Sequence, residues 1–372
     1  MCENKKSFVD STPLSRLLKI SLTQFRNYTF NSFDFTRRIT CITGANGCGK
    51  TNLLDAVYYL CYTKSYFTAQ QQHAVQSGTD GFRLQGTFGN DNRPEIITCK
   101  WQQGKKEISA NGIEYERITD HIGKYAAVMI APDDMELINE GSELRRKWLD
   151  GILSQADKLY FDHLVQYQKV LLQRNAWLKM EAIQPGNSYH ALDFYNHQLS
   201  QSGAYLHEKR AAFIHEFLPL LNSFYHQLSS GKEQVAMHYN SDLHEQLPEE
   251  LLKQTIQHDL RLQRTSKGIH RDDLQFMIGN FTLKQFGSQG QKKSYLFALK
   301  LAQYNYLSKQ LRQLPILLLD DIFEKLDQSR MEALLAIIQD PGFGQVLLTD
   351  THASRVQDAF GNGVEIGQIA LM

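Results

Sequence analysis

Three short stretches of this chain carry residue types that do chemistry. The first, Gly44-Ala45-Asn46-Gly47-Cys48-Gly49-Lys50-Thr51, is a full match to the phosphate-loop pattern G-x-x-x-x-G-K-[ST]. Glycines let consecutive backbone N–H groups curl around an anion at a helix start, where the helix dipole also favours phosphate. Lysine at this position reaches the β- and γ-phosphates of a nucleoside triphosphate, and the hydroxyl after it ligates Mg2+. Gly44, Asn46, Gly47, Gly49, Lys50, Thr51 and Asn52 are therefore the expected nucleotide contacts, with Thr51 also on the metal.

The second stretch, Ile316-Leu317-Leu318-Leu319-Asp320-Asp321, is an apolar run ending in two carboxylates. A central parallel strand buried on both faces reads this way, and its C-terminal end is where an open α/β sheet places ligands. Asp320 is the natural Mg2+ partner, and Asp321 stands next in line to orient or deprotonate an attacking water. The third stretch, Ser288-Gln289-Gly290-Gln291, enters a helix over 291–311 and aims N–H groups and a hydroxyl outward. A second helix-start anion site does not easily serve the same phosphate within one subunit. It suits either a nucleotide held by another subunit or a simple capped helix.

The flanking pattern supplies elements for these residues. Arg38 to Thr43 is short, β-branched and alternating, a strand, and the apolar positions 53, 54, 57 and 60 mark one face of a helix. Further strands are expected at 16–28, 82–88, 95–101 and 126–130, with Asn111-Gly112 as a hairpin turn. From 142 to 179 and from 189 to 228 the pattern is helical, with a break at Pro185-Gly186-Asn187 and a kink or break near Pro219. Val235 to Tyr239 reads as a strand and Pro248 precedes a helix to about 265. Helix 290–313, strand 316–319, helix 328–339 and strands 345–349 and 364–369 restore the α/β pattern. The expected fold is an α/β phosphate-loop domain split by a mainly helical arm: 16–138, the insertion 139–264, and 265–372, after a flexible lead-in over 1–15.

At 372 residues, 42% hydrophobic and 22% charged, the composition is that of a soluble globular protein of two lobes. Neither a membrane span nor a secretory leader is legible, and a cytoplasmic location is expected. Five cysteines, unpatterned and all within the first hundred residues, argue for a reducing compartment and against zinc or a disulfide framework. Cys48, inside the phosphate loop, is either a redox-sensitive position or a small residue at an unconstrained one. A formal net charge of zero removes any global field for nucleic acid, so DNA binding would need a local basic surface. Arg145, Arg146, Lys147, Lys64 and Lys105 are the candidates for it.

Taken together, Phe25-Arg26-Asn27-Tyr28, the phosphate loop with Asn52-Leu53-Leu54-Asp55-Ala56, Ala131-Pro132-Asp133-Asp134-Met135, Gly141-Ser142, Arg145-Arg146-Lys147-Trp148, Gly268-Ile269-His270-Arg271-Asp272-Asp273-Leu274, Ser288-Gln289-Gly290-Gln291 and Asp320-Asp321 with Glu324-Lys325-Leu326-Asp327 resemble the bacterial RecF family. These are ABC-type ATPases related to the heads of SMC proteins, and the motifs follow in order over nearly the whole chain. The resemblance implies that ATP joins two subunits head to tail. Each nucleotide would lie between the Walker motifs of one subunit and the signature Ser288, Gln289, Gly290 and Gln291 of the other. It also implies Asp320 as the magnesium aspartate, Asp321 as the catalytic carboxylate, Asp327 in a D-loop at the dimer interface, and Arg26 on the nucleotide phosphates. Its partners would be double-stranded DNA and single-strand/double-strand junctions, with RecR, RecO and RecA, in a slow, DNA-stimulated ATPase. Two departures stand out: Ala131-Pro132-Asp133-Asp134 replaces the glutamine-bearing loop of such heads, and His352 is not assigned as a γ-phosphate sensor. A transporter's nucleotide-binding subunit shares the Walker and signature motifs and is the alternative. A small-molecule kinase explains only the phosphate loop.

Overall fold

Ile316–Leu319 is the strand its composition predicts, buried at all four residues and paired in parallel with Val346–Asp350 on one side and Ala127–Ile130 on the other. Ile39–Thr43 and Ile366–Ala370 complete a five-stranded sheet in the order 366–370, 39–43, 346–350, 316–319, 127–130. Register sets Asp350 against Thr43 and Leu348 against Leu319. The strand before the phosphate loop and the strand before Asp320 therefore end at the same edge of the sheet, one strand apart, which is where such sheets bind ligands. The structure, a computed structural model, describes residues 16–90, 93–184, 186, 189–229, 233–324, 326–361 and 363–371. The flexible lead-in expected at 1–15 lies outside them, as do Pro185 and Asn187 of the expected helix break and Lys325 of the D-loop stretch.

A second sheet is antiparallel, six strands in the order 28–34, 17–25, 81–90, 93–102, 105–110, 113–114. Its last turn is the expected hairpin, with Asn111 and Gly112 both at positive φ (50° and 82°), as a two-residue loop of matching twist requires. Helix Lys50–Tyr62 contributes Leu53, Leu54, Val57 and Leu60 to a core shared with Leu22, Phe25 and Leu84 of this sheet and with Ala127, Leu318 and Leu347 of the parallel one. The Gln345 side chain binds both backbone groups of Leu17, donating to the carbonyl and accepting from the N–H at 2.8 Å each. A buried amide thus extends hydrogen bonding from one sheet to the other.

Chain contacts divide the described residues into two compact units: those within Met1–Met135, Phe224–Lys232 and Gln289–Met372, which hold both sheets above, and those within Glu136–Ser223 and Glu233–Ser288. The second unit contains helices Ser142–Ala156, Lys158–Ile183, Pro248–Gln254 and Ile256–Leu262 and most of Tyr189–Ser229. It also holds an antiparallel sheet in the order 281–282, 273–278, 235–240. Three helix expectations change. The run expected over 142–179 stops at Asp157, whose carboxylate caps a new helix by accepting from the N–H groups of Leu159 and Tyr160. Tyr189–Ser229 runs through Pro219 without a break, because Phe213, Phe217 and Leu221 bury its apolar face on both sides of the proline. The expected helix from Pro248 to 265 is two short ones, divided at Thr255.

The core of the second unit is held by buried charge. Arg210, 1% exposed, donates to Asp272 at 2.7 Å, Asp150 at 2.8 Å, the Ile269 carbonyl at 2.8 Å and the Tyr160 hydroxyl at 3.1 Å. Arg174, fully buried, binds Asp259, Thr265 and Asn196. His270 accepts from the Tyr167 hydroxyl at Nδ1 (2.9 Å) and donates from Nε2 to the Thr265 carbonyl (3.1 Å), so its neutral form satisfies both ring nitrogens. Burial lowers its pKa from 6.5 to about 4 against the opposing Thr265 bond, with Arg271, Arg146 and Arg174 adding to the depression.

Arg210→Met is expected to cost about 3–5 kcal/mol of unfolding free energy in urea titration, because the buried Asp272 and the half-buried Asp150 lose their counter-charge. For His270 the unfolded chain binds the proton more readily than the native one, so stability falls as pH drops from about 6.5 toward about 4. Melting temperatures over this window should show the slope in wild type and a shallower one in His270→Gln.

Candidate nucleotide-binding site

Helix Lys50–Tyr62 starts directly off the glycine loop, with Gly49 as its cap at φ 112° and no side-chain cap bond. No capping side chain occupies its first amides, which remain donors for an anion. Gly49 is required twice over, by the positive φ and because a Cβ there would stand 2.6 Å from Asn27 Nδ2 and 2.9 Å from the Tyr28 hydroxyl. Both residues belong to a hairpin that presses on the loop. Asn27 donates to the Cys48 carbonyl (3.0 Å), Tyr28 donates to the Gly49 carbonyl (3.0 Å), and Asn52 donates to the Asn27 oxygen (2.9 Å). Burial holds the Tyr28 phenol well above its ordinary pKa, with the Cys48 charge adding to this, so it stays a donor. Gly47, at φ 86°, has nothing within 4 Å of an added Cβ. Lys50 folds inside the loop with its ammonium on the Gly44 and Ala45 carbonyls, at 2.8 and 3.1 Å.

Across from the loop, Thr51 Oγ1 lies 3.0 Å from both oxygens of Asp320. The Thr349 hydroxyl, from the intervening strand, accepts from the Asp321 N–H at 2.9 Å and donates to Asp320 at 2.9 Å. Asp320 is 4% exposed. Burial pushes its carboxyl above the ordinary range; the Thr349 and Thr51 hydroxyls pull it back, Asp321 raises it further and Lys50 lowers it. Asp321 sits at φ 46°, a left-handed conformation that costs a residue with a Cβ and concentrates at functional sites. One hydroxyl and two carboxylates, with no softer donor among them, form a set that fits Mg2+, and a dication would offset the burial of Asp320.

The remaining sequence-expected residues form a second group. Ser288, exposed, directly precedes helix Gln289–Leu311, which starts two residues earlier than expected. Gln289 is exposed, and Gly290 and Gln291 are half-buried. A Cβ on Gly290 would lie 2.8 Å from the Arg330 guanidinium, which in turn pairs with Asp327, the cap of helix Gln328–Gln339. The first turn of the signature helix and Asp327 are thus neighbours through one arginine.

Residues 16–364 match the profile of the RecF/RecN/SMC N terminal domain. A DNA replication and repair protein RecF of Flavobacterium johnsoniae is 43% identical over 342 residues, covering 92% of this chain and 95% of that one. The chain belongs to the RecF family. A second RecF, from Bacteroides thetaiotaomicron, is 39% identical over 358 residues, covering 95% and 96%. Among solved structures, a recombination mediator protein RecF–ATPrS in the RecFOR pathway matches with a TM-score of 0.86 at 28% identity, over 96% of this chain and 97% of that one. The Smc head domain of Pyrococcus furiosus matches with a TM-score of 0.55 at 15% identity, over 96% and 94%, a likeness of fold. The fold is the α/β head of RecF and SMC proteins. Family membership, more than any single motif, separates this RecF-family chain from transporter subunits that share the Walker and signature motifs.

Several expected residues take other positions. Arg26 lies on Asp55 (2.9 Å), Ser65 and the His73 carbonyl, where it supplies the counter-charge of the wholly buried Asp55. Arg145 is buried and bidentate on Asp273, and Arg146 donates to the Asp272 carbonyl, so both are structural in this RecF-family fold and poor candidates for a basic DNA surface. Lys147 and Lys105 are exposed and pair with Glu143 and Glu107. His352 precedes helix Ala353–Phe360, its N–H bound to Asp350. Asn27, Tyr28 and Thr349 were not singled out from sequence. Thr349 had a signal, a hydroxyl in the otherwise apolar run Val346-Leu347-Leu348, while Asn27 and Tyr28 were visible only as parts of a family motif. Gly49→Ala is expected to weaken binding of a fluorescent ATP analogue by at least about ten-fold, since backbone strain and a clash add. Gly47→Ala, strained but not crowded, should lose less.

Proposed function

We propose that this protein binds ATP with Mg2+ at the loop Gly44 to Thr51 and acts in the cytoplasm as an ATP-gated DNA-binding protein of replication and recombinational repair. The observation that carries the reading is the joining of Thr51, Asp320, Thr349 and Asp321 at the mouth of the glycine loop. Lys50 and the loop amides hold the β- and γ-phosphates; Thr51 and Asp320 hold the cation. Asp321, presented by its left-handed backbone, orients or deprotonates water for a slow, DNA-stimulated hydrolysis. Asn46 and Asn52 complete the nucleotide contacts on the same loop and helix.

The nucleotide also joins two copies of the chain, each offering Ser288 to Gln291 to the phosphate held by the other, with Asp327 at the contact. The exposed position of Ser288, directly before helix Gln289–Leu311, supports this. The helical insertion forms an arm, and the dimer engages duplex DNA and single-strand/double-strand junctions, then RecR, RecO and RecA. These partners rest on the relatives' names and on the family resemblance. Phosphate contacts would dominate DNA affinity, so binding should fall steeply with salt.

Light scattering with and without a slowly hydrolysed ATP analogue tests the reading. Wild type should dimerise only with nucleotide. Lys50→Met should abolish the dimer through lost binding, and Ser288→Arg should abolish it while the monomer still binds nucleotide. An intact dimer in Ser288→Arg would refute the trans role of the signature.

A further inference from the structure

Asp134 closes the turn that follows the edge strand Ala127–Ile130. Its Oδ2 accepts from the Ala131 N–H at 2.7 Å, and its own N–H donates to the Ala131 carbonyl at 3.1 Å. Its other oxygen accepts from Lys300 Nζ at 2.8 Å and from the Tyr66 hydroxyl, while Lys300 also donates to the Tyr66 oxygen at 2.7 Å. Lys300 and Asp134 are 4% and 9% exposed, and the lysine rides over the Tyr66 ring. Burial, with the Asp134 charge and hydrogen bond adding to it, keeps the Tyr66 phenol protonated and donating.

Each member of this triad is anchored to a different part of the candidate site. The edge strand pairs with Ile316–Leu319, and the Asp320 N–H donates to the Ile130 carbonyl at 2.9 Å, next to the turn that Asp134 closes. The Tyr66 N–H donates to Asp55 at 2.7 Å, and Asp55 lies one turn after Thr51 on the phosphate-loop helix. Lys300 belongs to helix Gln289–Leu311, whose first residues are the signature. A buried ion pair adds little net stability over an apolar pair of the same volume, but it fixes the groups it joins in one geometry. Here those groups are the two halves of the candidate nucleotide site and the helix Gln289–Leu311.

We propose that Asp134 and Lys300 are positioning residues that transmit nucleotide and metal occupancy at Thr51 and Asp320 to the signature helix, so that the helix is set for the second subunit only when the cis site is filled. The inference rests on the nucleotide-dependent dimer proposed above. A cation drawn between Thr51 and Asp320 shifts the end of strand Ile316–Leu319; the Ile130 carbonyl follows, and the rigid turn carries Lys300 with it.

The double variant Asp134→Asn/Lys300→Met removes both charges together and leaves no buried charge unpaired. Its melting temperature and its binding of a fluorescent ATP analogue at monomeric concentration should stay near wild type. The protein concentration at half-dimerisation with the slowly hydrolysed analogue should rise about ten-fold or more, within the usual range of coupling energies. Lys300→Arg, which keeps the charge, should restore most of it. A double variant that dimerises like wild type overturns the inference alone, as does one whose monomer loses nucleotide affinity in step with dimerisation. A wild type that fails to dimerise with nucleotide overturns the parent reading and the coupling with it. Should the double variant not fold, hydrogen exchange on the wild-type monomer decides: analogue binding must change protection over residues 289–300, and unchanged protection there overturns the inference.

Discussion

A single carboxylate carries the geometry of the candidate site. Asp320 is buried at the end of the central strand, and its charge is tolerated because Thr51 and Thr349 both direct hydroxyls at it. Thr51 belongs to the phosphate-loop helix and Thr349 to the strand between the two Walker strands, so one group fastens three elements. That burial raises the carboxyl above its ordinary range, against the pull of the two hydroxyls. The arrangement is thus a compromise in which protein hydroxyls fill positions that a hard cation would fill better. A cation there would exchange these hydrogen bonds for coordination by groups the fold already brings together.

Each compact unit combines apolar packing with buried charge. The sheet-bearing unit rests on an apolar core around helix Lys50–Tyr62, with Leu53, Leu54 and Val57 wholly buried. The other unit directs two buried arginines, Arg174 and Arg210, at carboxylates and carbonyls from several elements. Apolar contacts are non-directional and tolerant of small shifts, whereas paired charges in a dry interior accept one arrangement or fail. Arg145 makes the point for function: a residue that sequence offered as a DNA contact is wholly engaged in holding helix Ser142–Ala156 to strand Asp273–Ile278.

Much of the fold was legible in the sequence because its signals are local. Loop, strand and helix around Gly44 to Thr51 are written in glycine spacing and periodicity, and Ile316–Leu319 in an unbroken apolar run. Helix ends were less legible. Asp157 caps a helix only once its own side chain turns back on Leu159 and Tyr160, and within a periodic apolar pattern one aspartate does not announce this. At Pro219 the helix does not break, since burial of the neighbouring Phe217 and Leu221 outweighs one missing hydrogen bond. In the site, Lys50, Thr51, Asp320 and Asp321 could be named because their chemistry is specific to type and spacing. Thr349, Tyr28 and the Asp134–Lys300 pair reach the site through the fold, across separations of 28, 21 and 166 residues from Asp321, Gly49 and each other.

The Leu17–Gln345 contact joins positions 328 residues apart. The strand leading into the phosphate loop likewise has both of its neighbours, Val346–Asp350 and Ile366–Ala370, near the other end of the chain. Closing so long a loop is slow, and the contacts that reward it come late. A ribosome releasing this chain from its N-terminal end therefore presents the glycine loop long before the sheet that shapes it exists. Both neighbours of the loop's strand come from the last thirty or so residues of the chain, so a chain cut short before Val346 would carry the motif without the strands beside it.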